Sequence, residues 1–150
     1  MHNPMGPLVA ALVVMLWSST AGAVQIYSVF ESSLSTGFTE YNPVSIQELV
    51  QDSPDSTTSA AEAETPVPDG TFSQLACVVE DAPGGGKSWT FTLMKNGAVS
   101  SLSCVVSDTS RRCSDTSNTV AVDTGDRVTL LSTPLSTPAS TAGRCTLRFE

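Results

Sequence analysis

The sequence predicts an all-β protein, an antiparallel β-sandwich or jelly roll, with an N-terminal signal peptide ahead of it. Three observations carry that expectation. From Thr71 onward apolar and polar residues alternate with period two, as in strands that cover a core on one face. Turn residues break the alternation at the spacing of short antiparallel strands, about every 8–12 residues. All four cysteines, Cys77, Cys104, Cys113 and Cys145, lie in this region, and an even count in a chain with a secretory leader reads as a disulfide framework.

In chain order, Pro7–Trp17 is an apolar run, followed by "SSTAGA" with Ala21 and Ala23 in an A-x-A pattern. Residues 1–23 therefore read as a signal peptide cut after Ala23. The run falls short of the roughly 20 apolar residues that span a bilayer. The n-region "MHNP" lacks Lys and Arg, which leaves an uncleaved anchor or a mis-assigned start codon as alternatives. Residues 24–64 are expected to supply N-terminal strands and an acidic loop to the same domain. In Val24–Phe30, Val24, Ile26, Ser28 and Phe30 share one face of a strand. A second extended piece is expected around Phe38 to Ile46, at an edge because Asn42-Pro43 interrupts it. Residues 47–64 are polar, small and acidic. They read as a long loop, with a helical turn near Gln47 to Val50 and Pro54 preventing one continuous helix.

Residues 65–150 form the expected sandwich core. "TPVPDG" supplies turn chemistry. Leu75, Cys77 and Val79 then alternate with polar or small neighbours, as do Trp89, Phe91 and Leu93; Leu102, Cys104 and Val106; Val128 and Leu130; and Cys145, Leu147 and Phe149. Asn96-Gly97 is a strong hairpin signal, because both residues tolerate positive φ. Asp123–Asp126 reads as a second turn. "LSTPLSTPASTAGR" reads as a Ser/Thr/Pro loop before the last strand.

Composition excludes several chemistries. The only histidine is His2, so cleavage after Ala23 would leave no histidine base, triad or metal ligand. The net charge of −8 lies entirely in residues 1–70, with eight acids and no Lys or Arg; residues 71–150 hold seven of each sign. Such a surface is a poor match for nucleic acid.

"DAPGGGKS" (Asp81–Ser88) ends as a phosphate-binding loop does. The motif needs glycine where Asp81 stands and a helix after Ser88, but an alternating strand comes next. No nucleotide is expected, and the stretch reads as a connector whose glycines permit positive φ. The inward-facing cysteines favour Cys104–Cys113 with Cys77–Cys145 among three pairings. These loops would contribute roughly 2.7 and 4.4 kcal/mol as upper values. Asp108, Asp115, Asp123 and Asp126 offer oxygen ligands for calcium, although aspartates in β-loops ordinarily cap turns. Trp89 is expected in the core rather than on a sugar platform, and Arg111-Arg112 reads as a lone solvated pair on a loop. No catalytic or cofactor-binding residues and no cofactor are expected.

Residues 82–130 carry a Gly-rich turn before Lys87-Ser88, the "FTLMKNG" hairpin, the "LSCVVSDTSRRCSDTSN" segment and the "VDTGDRVTL" turn-strand. In these the chain resembles the small jelly-roll modules of phage virion and fibre proteins and of bacterial surface proteins. These modules are similar to tumour-necrosis-factor-like heads on collagen-like spore-surface glycoproteins. The resemblance covers about residues 65–150. It implies a stable sandwich, often trimeric, used for structure or attachment, and it implies no catalytic residues. The leader departs from virion proteins, and no collagen-like repeat precedes the domain. The expected function is a non-enzymatic, secreted or cell-surface structural module that self-associates. The alternatives are a monomeric module binding a surface glycan or receptor, and a virion protein if the start codon is mis-assigned.

Overall fold

Nine strands and one helical turn form two antiparallel sheets facing each other across a single core, in a computed structural model that describes residues 22–30, 33–45 and 57–150. The strands are β1 (Val24–Phe30), β2 (Glu40–Asn42), β3 (Thr65–Pro66), β4 (Gly70–Val79), β5 (Gly84–Lys95), β6 (Ala98–Asp108), β7 (Arg112–Val122), β8 (Arg127–Leu135) and β9 (Gly143–Phe149). The helical turn α1 covers Ala60–Ala63. The signal peptide and the expected turn near Gln47 to Val50 lie outside the described residues. Among those described, no helix is long and apolar enough to cross a membrane.

Sheet A has the order β1-β9-β4-β7; sheet B has the order β2-β8-β5-β6, with β3 also pairing with β8. β2 and β3 are two pieces of one edge, since Asn42 lies opposite Leu130 and Thr65 opposite Val128. The pairing is nested. The β5–β6 hairpin is innermost, flanked in turn by β4–β7, by β2/β3 with β8, and by β1–β9. Successive pairs fall in opposite sheets, which is the jelly-roll wrap. The hairpin needs only Asn96 and Gly97 between Lys95 and Ala98, with φ of 50° and 76°, the geometry of a type I′ turn.

Alternation decides what is buried. Phe72, Leu75 and Leu147 of sheet A and Trp89, Phe91, Leu102 and Leu130 of sheet B are fully buried. The Phe30 ring stacks on Phe91 across the sheets, centroids 5.6 Å apart, and the Trp89 indole donates to the Ala139 carbonyl at 3.2 Å. A bulge at Gln74, with φ 53°, lets both Phe72 and Leu75 point inward. Asn42, also fully buried, donates from Nδ2 to the Leu130 carbonyl (3.2 Å) and Ser132 Oγ (3.1 Å), tying the short β2 to β8.

One expectation is corrected. The Ser/Thr/Pro stretch from Leu131 is not all loop, because β8 runs through Pro134 to Leu135. Pro134 pairs with Trp89, while β2 reaches only as far as Ser132. The side of Pro134 away from β5 therefore faces no partner strand, and the missing N–H costs no ladder bond there.

Cys77 and Cys145 are register partners on β4 and β9, joined by a disulfide within sheet A. Cys104 on β6 bonds to Cys113 on β7 and so ties the two sheets together. Cys113 is also the register partner of Cys77, and the sulfurs of Cys77, Cys104 and Cys113 lie within 4.8 Å of one another.

Gly143 opens β9 beneath Phe30; a Cβ there would collide with the Val78 carbonyl and the Phe30 ring. Gly143→Ala should therefore lower stability by about 1–3 kcal/mol through overpacking. Urea unfolding checks this as a lower midpoint with an unchanged slope.

Candidate interaction surfaces

The stretch "DAPGGGKS" opens β5 irregularly. Gly84 and Gly86 have φ of 99° and 71°, and the register with β6 breaks between Gly84 and Ser88. The Gly86 amide donates to Asp108 Oδ1 at 2.8 Å. The acceptor at this loop is the chain's own carboxylate, and the chain continues from Ser88 as a strand, not a helix.

The four aspartates that could offer oxygen to calcium fall into three separate settings, with Asp123 and Asp126 in one turn. Asp108 holds the glycine turn. Asp115, buried on β7, accepts from Asn118 Nδ2 (2.8 Å) and from the amides of Ser103, Ser117 and Asn118. The Ser103 contact ties β7 to β6. Asp126 closes its turn by accepting from the Asp123 amide (2.8 Å), and it also binds Lys95 Nζ (2.7 Å) and Asn96 Nδ2 (2.7 Å). Among the described residues no three carboxylates converge, and the one cluster of three potential ligands is Cys77, Cys104 and Cys113, whose sulfurs are all in disulfides.

The Asn118 side chain, aided by the three backbone amides and opposed by partial burial, lowers the Asp115 pKa to about 2. Lys95 chiefly, with the Asp123 amide and Asn96, lowers Asp126 to about 2.

The outer face of sheet A carries a basic groove. Strand register sets Arg112, Val78, Arg144 and Val29 side by side across β7, β4, β9 and β1. The next row is Ser114, Ala76, Thr146 and Tyr27. Arg111 stands beside this face, just before β7. Two adjoining recesses of about 510 and 410 Å³ share Val78, Arg112 and Arg144 as walls. Arg111 and the exposed Glu80 border the larger one. Among the described residues, Arg127 pairs with Glu64 (3.2 Å), Arg148 with Glu150 (2.8 Å) and Lys95 with Asp126, whereas Arg111, Arg112 and Arg144 form no ion pair. Arg112 lies on a strand rather than in the expected loop. Arg144 joins it only because β4 lies between β7 and β9, a pairing that no local sequence signal announces.

The outer face of sheet B has a different chemistry. Thr129, Leu131, Thr133 and Leu135 on β8 face outward beside Ser88, Thr90, Thr92 and Met94 on β5. Val99, Ser103, Val105 and Ser107 on β6 complete the surface. No residue in this set is charged; Arg127, the next outward position on β8 before Thr129, stands at the margin and pairs with Glu64. Thr92, Met94 and Thr129 are buried, while Val99 (67 %), Val105 (51 %) and Leu135 (61 %) are exposed. A third recess, of about 510 Å³, opens at the sandwich edge between Val24, Ile26, Val67 and Phe149. Trp89 is fully buried, as its alternation implies, and offers no platform to a sugar.

No protein-family model matches the chain, and no curated protein is significantly similar to it.

Because Asp115 titrates lower folded than its ordinary 3.8, its contribution to stability is complete above about pH 4 and is lost as pH falls through 2. Asp115→Asn should destabilise the protein at pH 6, with the gap to the parent narrowing between pH 4 and 2. Thermal unfolding across that range measures it.

Proposed function

We propose that the chain is a non-enzymatic extracellular structural module that associates with copies of itself through the outer face of sheet B. The observation that carries this reading is the composition of that face: in a chain of net charge −8, its only charge is Arg127 at the margin, paired with Glu64, and it exposes Val99, Val105 and Leu135. Exposed apolar side chains favour association, and the hydroxyls that separate them here can pair with water or with a partner. The two disulfides support an oxidising, extracellular setting.

Size sets the expected strength. Strand spacing and rise give the β8-β5-β6 face roughly 24 by 14 Å. That is less than half of the ~800 Å² each partner contributes to a standard interface, so flanking loops must take part and assembly depends on concentration. The jelly-roll resemblance supports a trimer as the first form to look for.

Light scattering over a concentration series should show an oligomer that dissociates on dilution. Val105→Lys with Leu135→Lys should leave a monomer of unchanged melting temperature. A parent chain that stays monomeric at its highest concentration contradicts the proposal.

A further inference from the structure

We infer that the groove lined by Arg111, Arg112 and Arg144 is a binding site for an extended anionic polysaccharide bearing carboxylate or sulfate groups. The inference does not depend on self-association, which was assigned to the opposite face.

The arginines are the starting point. The chain has 15 acids and seven bases, so carboxylate partners are in excess. Arg127, Arg148 and Lys95 each have one, yet these three guanidiniums, on one face, have none among the described residues. Arg112 and Arg144 flank Val78 in one row, about 10 Å apart by strand spacing, and Arg111 adds a third positive charge. Grouped like charges repel, and an anion lying between them relieves that repulsion. Guanidinium also presents planar paired donors that match carboxylate and sulfate. Among the described residues Glu80 is the one acid bordering the recess, and it forms no ion pair there. The three arginines outnumber it.

The shape and floor narrow the ligand class. The recesses run along the sheet face rather than closing around a point, which suits a chain rather than a lone ion. Val29 and Val78 give an apolar floor for a sugar ring, and Ser114 and Thr146 offer hydroxyls beside it. Nucleic acid fits less well: a duplex carries a charge about every 1.7 Å, far denser than this arginine spacing, and the chain's excess of acids would repel it. The two disulfides also point to the compartment where anionic glycans are found.

The test uses the full chain on immobilised heparin, a sulfated uronate polymer, in about 0.1 M salt, where electrostatic contacts still act over roughly 10 Å. The parent should bind, with affinity falling as salt rises. Arg112→Gln with Arg144→Gln should weaken binding at least tenfold at unchanged melting temperature, and the Lys pair should retain part of it. Arg127→Gln, which removes a positive charge from the other sheet, should change binding less than twofold. Absence of parent binding would overturn the site, as would equal losses in the Arg112/Arg144 and Arg127 variants. Single-stranded DNA should fail to displace heparin at equal charge; effective displacement would overturn the polysaccharide assignment.

Discussion

Cys77 stands opposite Cys113 on one neighbouring strand and opposite Cys145 on the other, and every face of the molecule depends on that register. The Cys77–Cys145 bond fixes β4 against β9; the Cys104–Cys113 bond fixes β7 against the facing sheet. A one-residue slip of a strand turns its whole apolar set outward, and two covalent links in adjoining positions forbid such a slip. One residue along β4, the same register sets Val78 between Arg112 and Arg144. The arginine row on the outside thus follows from the sulfur row on the inside, and neither can shift without the other.

Much of this was legible in the sequence because it is local. Period two put Leu75, Cys77, Trp89, Phe91, Leu102 and Leu147 inward, and all are buried. Asn96-Gly97 announced its hairpin because the two-residue turn requires positive φ at both positions. Asp81 and the strand after Ser88 were enough to set aside the phosphate-loop reading. What could not be read was non-local. Nothing around Arg144 says that it will lie two strands from Arg112, since that depends on the wrap order of β4, β7 and β9. Pro134 misled for a related reason: proline argues against a strand only where the N–H would face a partner, and the start of β2 at Glu40, opposite Ser132, decided that here. Val99 and Val105 stand at outward positions of β6, and the hydroxyl-rich surface around them emerges only when β8 and β5 lie alongside.

The two outer faces divide the chemistry. Sheet A presents guanidiniums and hydroxyls over a narrow apolar floor, suited to a hydrated anionic ligand. Sheet B presents hydroxyls and exposed aliphatic groups, with charge only at its margin, where Arg127 pairs with Glu64. That face can approach its own copy without the repulsion that a net charge of −8 imposes on most other approaches. Net charge also makes orientation matter: copies meeting through sheet B leave the arginine faces pointing away from the contact. An assembly built this way would display several grooves outward, and weak individual sites gain strength when several engage one polymer.

Stability and setting are linked by the same bridges. Net domain stability is usually 5–15 kcal/mol, and the two loops closed here are worth up to about 2.7 and 4.4 kcal/mol on entropic grounds. Reduction would therefore remove a share comparable to the whole margin. The loss would be concentrated where β4, β7 and β9 meet, because all three strands contribute cysteines to the two bridges. Loosening β4, β7 and β9 would disturb the register that sets Val78 between Arg112 and Arg144, so the groove is tied to the same bridges that stabilise the fold.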